Sequence, residues 1–181
     1  MARNSLSCSA LVIKHWNTGE TDRFVTLLTQ EEGKFVAVAK GIRKTSSSRS
    51  SALEPGNIVK CTIVSTKSLP ILSQAILLTD VGRCRESLIL VRKLYQLLEI
   101  FDRLFVEEEL ETAAYRQVQR LHAGVTKHQM PVSWIRSELS ELISQLGFDT
   151  AVEKERSVLE FISELTGKPL RSYEYLLVKS A

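Results

Sequence analysis

Apolar and polar residues alternate through the first 80 positions, then change period. Cys8 to Trp16 alternates loosely, with Ala10, Val12 and His15 set against Leu11, Ile13 and Trp16, and ends at the turn signal Asn17-Thr18-Gly19. A second strand is predicted over Arg23–Thr29, with Phe24 and Thr26 on one face and Val25 and Leu27 on the other. A third covers Lys34–Ala39, where Phe35, Ala37 and Ala39 oppose Val36 and Val38. The connection Gln30-Glu31-Glu32-Gly33 has the shape of a hairpin loop, because its glycine can take the positive φ a short loop needs. The serine-rich tract from Thr45 to Ala52 breaks the pattern, and Leu53-Glu54-Pro55-Gly56 punctuates it. Ile58–Val64 and Ile71–Leu78 read as the fourth and fifth strands. Five short strands in fewer than 80 residues imply a small barrel, and the commonest five-stranded form is the OB-fold, whose face and loops bind oligonucleotides.

From Arg85 the period becomes helical. Val91, Leu94, Tyr95, Leu98, Phe101 and Phe105 fall at three- and four-residue spacing, which predicts a helix over Arg85–Val106. The acidic run Glu107–Glu111 suits the first turn of a second helix, where the dipole favours anions. Leu110, Ala114, Val118 and Leu121 continue its stripe, with Gly124 as its end. Pro131 opens a third helix whose face is Trp134 or Ile135, then Leu139, Leu142, Ile143 and Leu146, closed by Gly147. Thr150 and Glu153 have capping-box spacing and start a fourth helix through Leu165; Tyr173–Val178 is a short apolar tail. Strands first and helices after give an α+β chain: an OB-fold over residues 1–80 and an all-helical domain over residues 81–181.

Charge refines this picture. Net charge is only +3, but residues 1–79 hold 10 Lys and Arg against 5 Asp and Glu, and the remainder holds 14 against 16. The basic excess gathers around the third strand and the loop after it: Lys34, Lys40, Arg43, Lys44 and Arg49, with Arg23 at the entrance of the second strand. Clustered cations suit phosphate binding, because affinity comes from neutralising backbone charge. Phe24, Phe35 and Trp16 are candidate stacking rings, although alternating aromatics more often fill a core. Arg23 stands beside Asp22 and is better explained by a local pairing at the strand entrance than by phosphate contact.

Other chemistry is sparse. Cys8, Cys61 and Cys84 are dispersed and form no C-x-x-C pair, which argues against a disulfide framework and a cysteine zinc site. The three histidines have no ligand spacing with them. Gly33-Lys34 and Gly167-Lys168 lack the earlier glycine of a P-loop, which would fall at Leu28 and Ile162. No nucleophile stands with a base, so an enzyme is not expected, and no cofactor or metal is implied. Arg3 and Asn4 are followed by no apolar signal segment, and no apolar stretch reaches the length of a membrane span. The expectation is a cytoplasmic protein, nucleoid-associated if the basic cluster binds DNA.

The ordered pattern Gly19-Glu20-x-Asp22-Arg23, Leu27-Leu28-Thr29, Gly33-Lys34, Ala37-Val38-Ala39-Lys40-Gly41-x-Arg43-Lys44 and Leu53-x-Pro55-Gly56 resembles the RecO family of bacterial recombination mediators. Near the end, Leu165-x-Gly167-Lys168-Pro169-Leu170-Arg171-Ser172 is similar to that family's C-terminal stretch. The resemblance implies an N-terminal OB-fold and a helical domain. It also implies binding of single- and double-stranded DNA, annealing of complementary strands, and loading of recombinase onto protein-coated single strands. Implied partners are RecR and the acidic C-terminal tail of single-stranded DNA-binding protein, for which Arg92, Arg116 and Arg120 could rim a slot. Lys40, Arg43 and Lys44 match the family's cationic surface, and Lys34, Arg49 and Arg23 extend that set. Many members carry a four-cysteine zinc module that is missing here: Gly147-Phe148-Asp149 passes almost directly to Thr150, so zinc is not carried over. An RNA-binding OB module and a protein-interaction scaffold are the rival readings.

Overall fold

The structure is a computed structural model and describes residues 5–43, 50–148, 158–167 and 170. It contains two compact units. One comprises Met1–Val81 with Phe105–Leu110, the other Gly82–Leu104 with Glu111–Ala181.

The first unit is a closed barrel of β1 (Ser5–Thr18), β2 (Asp22–Leu28), β3 (Lys34–Ala39), β4 (Ile58–Val64) and β5 (Ile71–Thr79), in the order β1-β2-β3-β5-β4. β4 returns to pair with the first half of β1, and β3 meets β5 in parallel at Val38 and Ile71, so no edge is left open. Alternation directs one side of each strand inward: Ala10 and Val12, Val25 and Leu27, Phe35, Ala37 and Ala39, Val59, Cys61 and Ile63, and Leu72 form one core. Ile42 and Leu53, from the segments flanking the serine-rich tract, join it.

The loose alternation of β1 has a physical cause. Its pairing with β2 slips between Val12 and Lys14, leaving one extra residue at Ile13. Without this bulge, Val12, Lys14 and Trp16 would share the interior face. With it, His15 turns inward opposite Val25, and Lys14 and Trp16 turn outward opposite Thr26 and Phe24. The His15 ring is fixed by a 3.0 Å hydrogen bond between Nδ1 and the Leu53 carbonyl.

The acidic run departs from expectation. Its first residues belong to the barrel unit and continue no helix: Lys34 N–H donates to the Val106 carbonyl at 2.8 Å, and Leu110 N–H donates to the Gln30 carbonyl at 2.8 Å. These backbone bonds outweigh the dipole preference that assigned Glu107–Glu111 to a first helical turn. Gly33 permits the approach. Its φ is +64°, and a Cβ there would overlap the backbone of Glu108 and Val106.

The second unit starts with a 3-10 turn at Gly82–Glu86, followed by α1 (Leu88–Leu104), α2 (Thr112–Thr126), α3 (Val132–Gln145) and α4 (Val158–Leu165). Consecutive α-helices pack on one another, burying the apolar stripes Leu94-Leu98-Phe101, Leu121-Val125 and Ile135-Leu139-Leu142. Gly124 does not end α2; it is buried inside it, where a Cβ would strike the Trp134 ring. Close helix packing, rather than termination, explains this glycine. The Thr150 and Glu153 cap and the Tyr173–Val178 tail lie outside the described residues.

Candidate nucleic-acid interface

The predicted cations fall at different places on the barrel. Lys40 follows β3, and Lys40 and Arg43 are both exposed. Their turn is tied to the β1-β2 connection: Arg43 N–H donates to the Thr21 carbonyl at 3.0 Å, and the Arg43 guanidinium donates to the Gly19 carbonyl at 3.3 Å. Asp22 completes the tie, its carboxylate accepting from Gly41 N–H at 2.8 Å and from the Thr21 hydroxyl at 3.0 Å. Two loops far apart in sequence therefore form one rim, with Lys40 and Arg43 standing on it.

Arg23 belongs to the same end of the barrel in a different environment. It pairs with Glu54 at 3.4 Å and donates to the Asn17 side chain at 3.3 Å. Lys34 is half-buried at the opposite end of β3, about 20 Å from Lys40 by strand rise. Lys44 and Arg49 lie outside the described residues. The structure thus brings Lys40, Arg43 and Arg23 to one end, and does not bring Lys34 there.

The candidate aromatics also separate. Phe35 is 7% exposed and belongs to the core. Trp16 and Phe24 face outward with ring centroids 5.3 Å apart and planes inclined by 37°. The two readings of alternating aromatics therefore apply to different residues.

Cys8 and Cys61 stand directly opposite on β1 and β4, with sulfurs 3.6 Å apart, as free, buried thiols. Neighbouring strands can juxtapose cysteines that sequence spacing leaves unrelated. Their shared hydrogen bond holds Cys61 far above the usual thiol range, with burial adding to it, and lowers Cys8 against the opposing effect of burial. Among the described residues, no group of three or more His, Cys, Asp or Glu side chains could hold a metal ion. No described helix is long and apolar enough to cross a membrane.

In the helical unit, Arg120 pairs with Glu138 at 2.8 Å and lies 5.9 Å from the Trp134 ring centre. Glu138 also accepts from the Gln117 amide at 2.7 Å. Arg92 and Arg116 are exposed.

A closed β1-β2-β3-β5-β4 barrel followed by helices defines an OB-fold domain joined to a helical domain. A family model described as recombination protein O N terminal matches residues 1–80. The DNA repair protein RecO of Salinibacter ruber is 30% identical over 158 residues, covering 85% of this chain and 60% of that protein. The RecO protein of Symbiobacterium thermophilum is 31% identical over 139 residues, covering 76% and 55%. That of Cutibacterium acnes is 42% identical over 65 residues, covering 36% and 26%. This chain belongs to the RecO family. It spans 60% or less of the length of each of these relatives.

Proposed function

We propose that this chain is a DNA repair protein that acts without catalysing a reaction of its own. It binds single- and double-stranded DNA through the barrel rim and brings complementary strands together. Support comes from the relatives, which are named DNA repair proteins, and above all from the position of Lys40 and Arg43. Both are exposed on a turn anchored by backbone hydrogen bonds, so phosphates can reach their charge without a carboxylate having to be displaced from Arg43. Lys44 and Arg49 extend the cationic stretch in sequence. Arg23, already paired with Glu54, supports the rim's architecture, and Lys34 contributes at most to a second contact.

The mechanism is electrostatic. Two nucleic-acid strands repel, and cations held between them lower that repulsion during encounter. The helical unit would dock the protein partners, RecR and the acidic tail of single-stranded DNA-binding protein, as recombinase is loaded onto coated strands. Arg116 is a better rim candidate for such a tail than Arg120, which Glu138 and Trp134 already engage.

The test is a salt titration of single-strand binding by the parent and by the Lys40, Arg43, Lys44→Ala triple variant. Loss of three phosphate contacts flattens the log affinity against log salt slope by about 2. An unchanged slope and affinity would remove this site assignment.

A further inference from the structure

We propose that the outward rings of Trp16 and Phe24 form a stacking platform for the unpaired bases of single-stranded DNA, a base-reading surface separate from the phosphate-binding rim. This deepens the nucleic-acid reading above and rests on it.

Four observations converge on this face. First, the β1 bulge sends Trp16 outward and leaves it 41% exposed, whereas an unbroken strand would bury the ring in the barrel. Second, Trp16 stands in register with Phe24, Phe24 with Val38, and Val38 with Ile71, which makes an apolar row across four strands. Phe24, Val38 and Ile71 are half-buried, so the row has a solid floor and one prominent ring at its end. Third, the row crosses β2 and β3, the strands whose outer face in OB barrels receives oligonucleotides. Fourth, its borders are cationic. Lys14 lies two residues before Trp16 on the same face, Lys40 lies two residues beyond Val38, and exposed Lys67 sits in the loop leading to Ile71. Asp22, two residues before Phe24 on β2, has a carboxylate that accepts from Gly41 and Thr21.

A flat ring fixed by a neighbouring ring offers a base a stacking surface at little entropic cost, and every base has a π-face. Paired bases in a duplex are already stacked on their neighbours and cannot use it. The platform therefore favours single strands, whereas the rim cations serve single strands and duplexes alike.

The full chain labelled with 5-fluorotryptophan gives two fluorine signals, and that of Trp16 is identified by its loss in Trp16→Phe. Adding oligothymidine is expected to shift the Trp16 signal and leave that of Trp134 in place. An abasic oligomer of equal length should shift neither. Trp16→Ala should weaken oligothymidine binding about tenfold and change duplex binding less than twofold, while Trp16→Phe retains most of the affinity. Because the ring is exposed, both variants should melt close to the parent. If Trp16→Ala binds oligothymidine as the parent does, or loses single strands and duplex equally, the platform is overturned while the rim assignment stands. Tighter binding of oligouridine RNA than of oligothymidine would overturn the DNA assignment. If the parent binds no DNA at moderate salt, the functional reading and the platform fall together.

Discussion

Arg23 and Glu54 meet at 3.4 Å across the end of the barrel, with side chains 14% and 32% exposed. One is the second residue of β2; the other lies in the turn that follows the serine-rich tract. The bond fastens that turn to the sheet, and the Arg23 guanidinium also lies 3.5 Å from His15 Nδ1. Arg23 is thus a brace of the rim more than a hand extended to phosphate.

The first expectation follows. Arg23→Ala should lower stability by about 0.5–1 kcal/mol, a figure kept small because both partners retain some contact with solvent. Single-strand affinity should change less than twofold. Urea denaturation and a binding titration on the same preparation check both halves. A large loss of binding with unchanged stability would move Arg23 into the interface.

Gly33 gives a sharper stability test. Gly33→Ala must take a left-handed φ of +64° and push its Cβ into the backbone of Glu108 and Val106. The φ alone costs about 1–2 kcal/mol, and separating the two backbone segments adds to it. The urea midpoint should fall clearly, with greater hydrogen exchange at Lys34 and Leu110, whose amides bond across this contact.

Thr26 points the other way. It is 2% exposed, and its hydroxyl has no hydrogen-bond partner among the described residues. Valine fills nearly the same volume without a polar atom to leave unpaired. Thr26→Val should therefore stabilise the barrel by about 1 kcal/mol, read from the urea midpoint.

Cys84 supplies a pH dependence. Burial raises its thiol above the usual value, opposed by the nearby charge of Arg85. The neutral thiol is the form the folded chain accepts. Its contribution is complete below the unfolded-state pKa, about 8.5, and is lost as pH rises through the higher folded-state value. Cys84→Ala should be less stable than the parent near neutrality, and the gap between their urea midpoints should narrow from pH 8 to pH 10.

Much of the barrel could be read from the chain, because a sheet with one buried face writes its period into the sequence. β3 and β4 have the bounds expected of them, and the other three strands differ only at their ends. What could not be read depends on contacts distant in sequence. Nothing local to Ile13 announces the bulge except a slip in alternation between Val12 and His15. Glu107–Glu111 has the composition of a helix start, yet Val106 before it and Leu110 within it are held to Lys34 and Gln30 by backbone bonds. The α1 helix also stops at Leu104, short of the periodic stripe that ran on to Phe105.

For the site, charge clustering marked the neighbourhood of Lys40 and Arg43 but not its geometry. Cations six residues apart in the chain can stand at opposite ends of a strand, as Lys34 and Lys40 do. Phe35 and Phe24 have similar sequence surroundings, and only strand register separates the core ring from the outward one.

The most direct measurement is the rate at which complementary oligonucleotides anneal at low salt, with no protein, with the parent, and with the Lys40, Arg43, Lys44→Ala variant. The parent should accelerate pairing by at least about tenfold, and the variant should fall back towards the spontaneous rate while melting like the parent. A variant that anneals strands as fast as the parent would contradict the claim that cations on the barrel rim draw the two strands together.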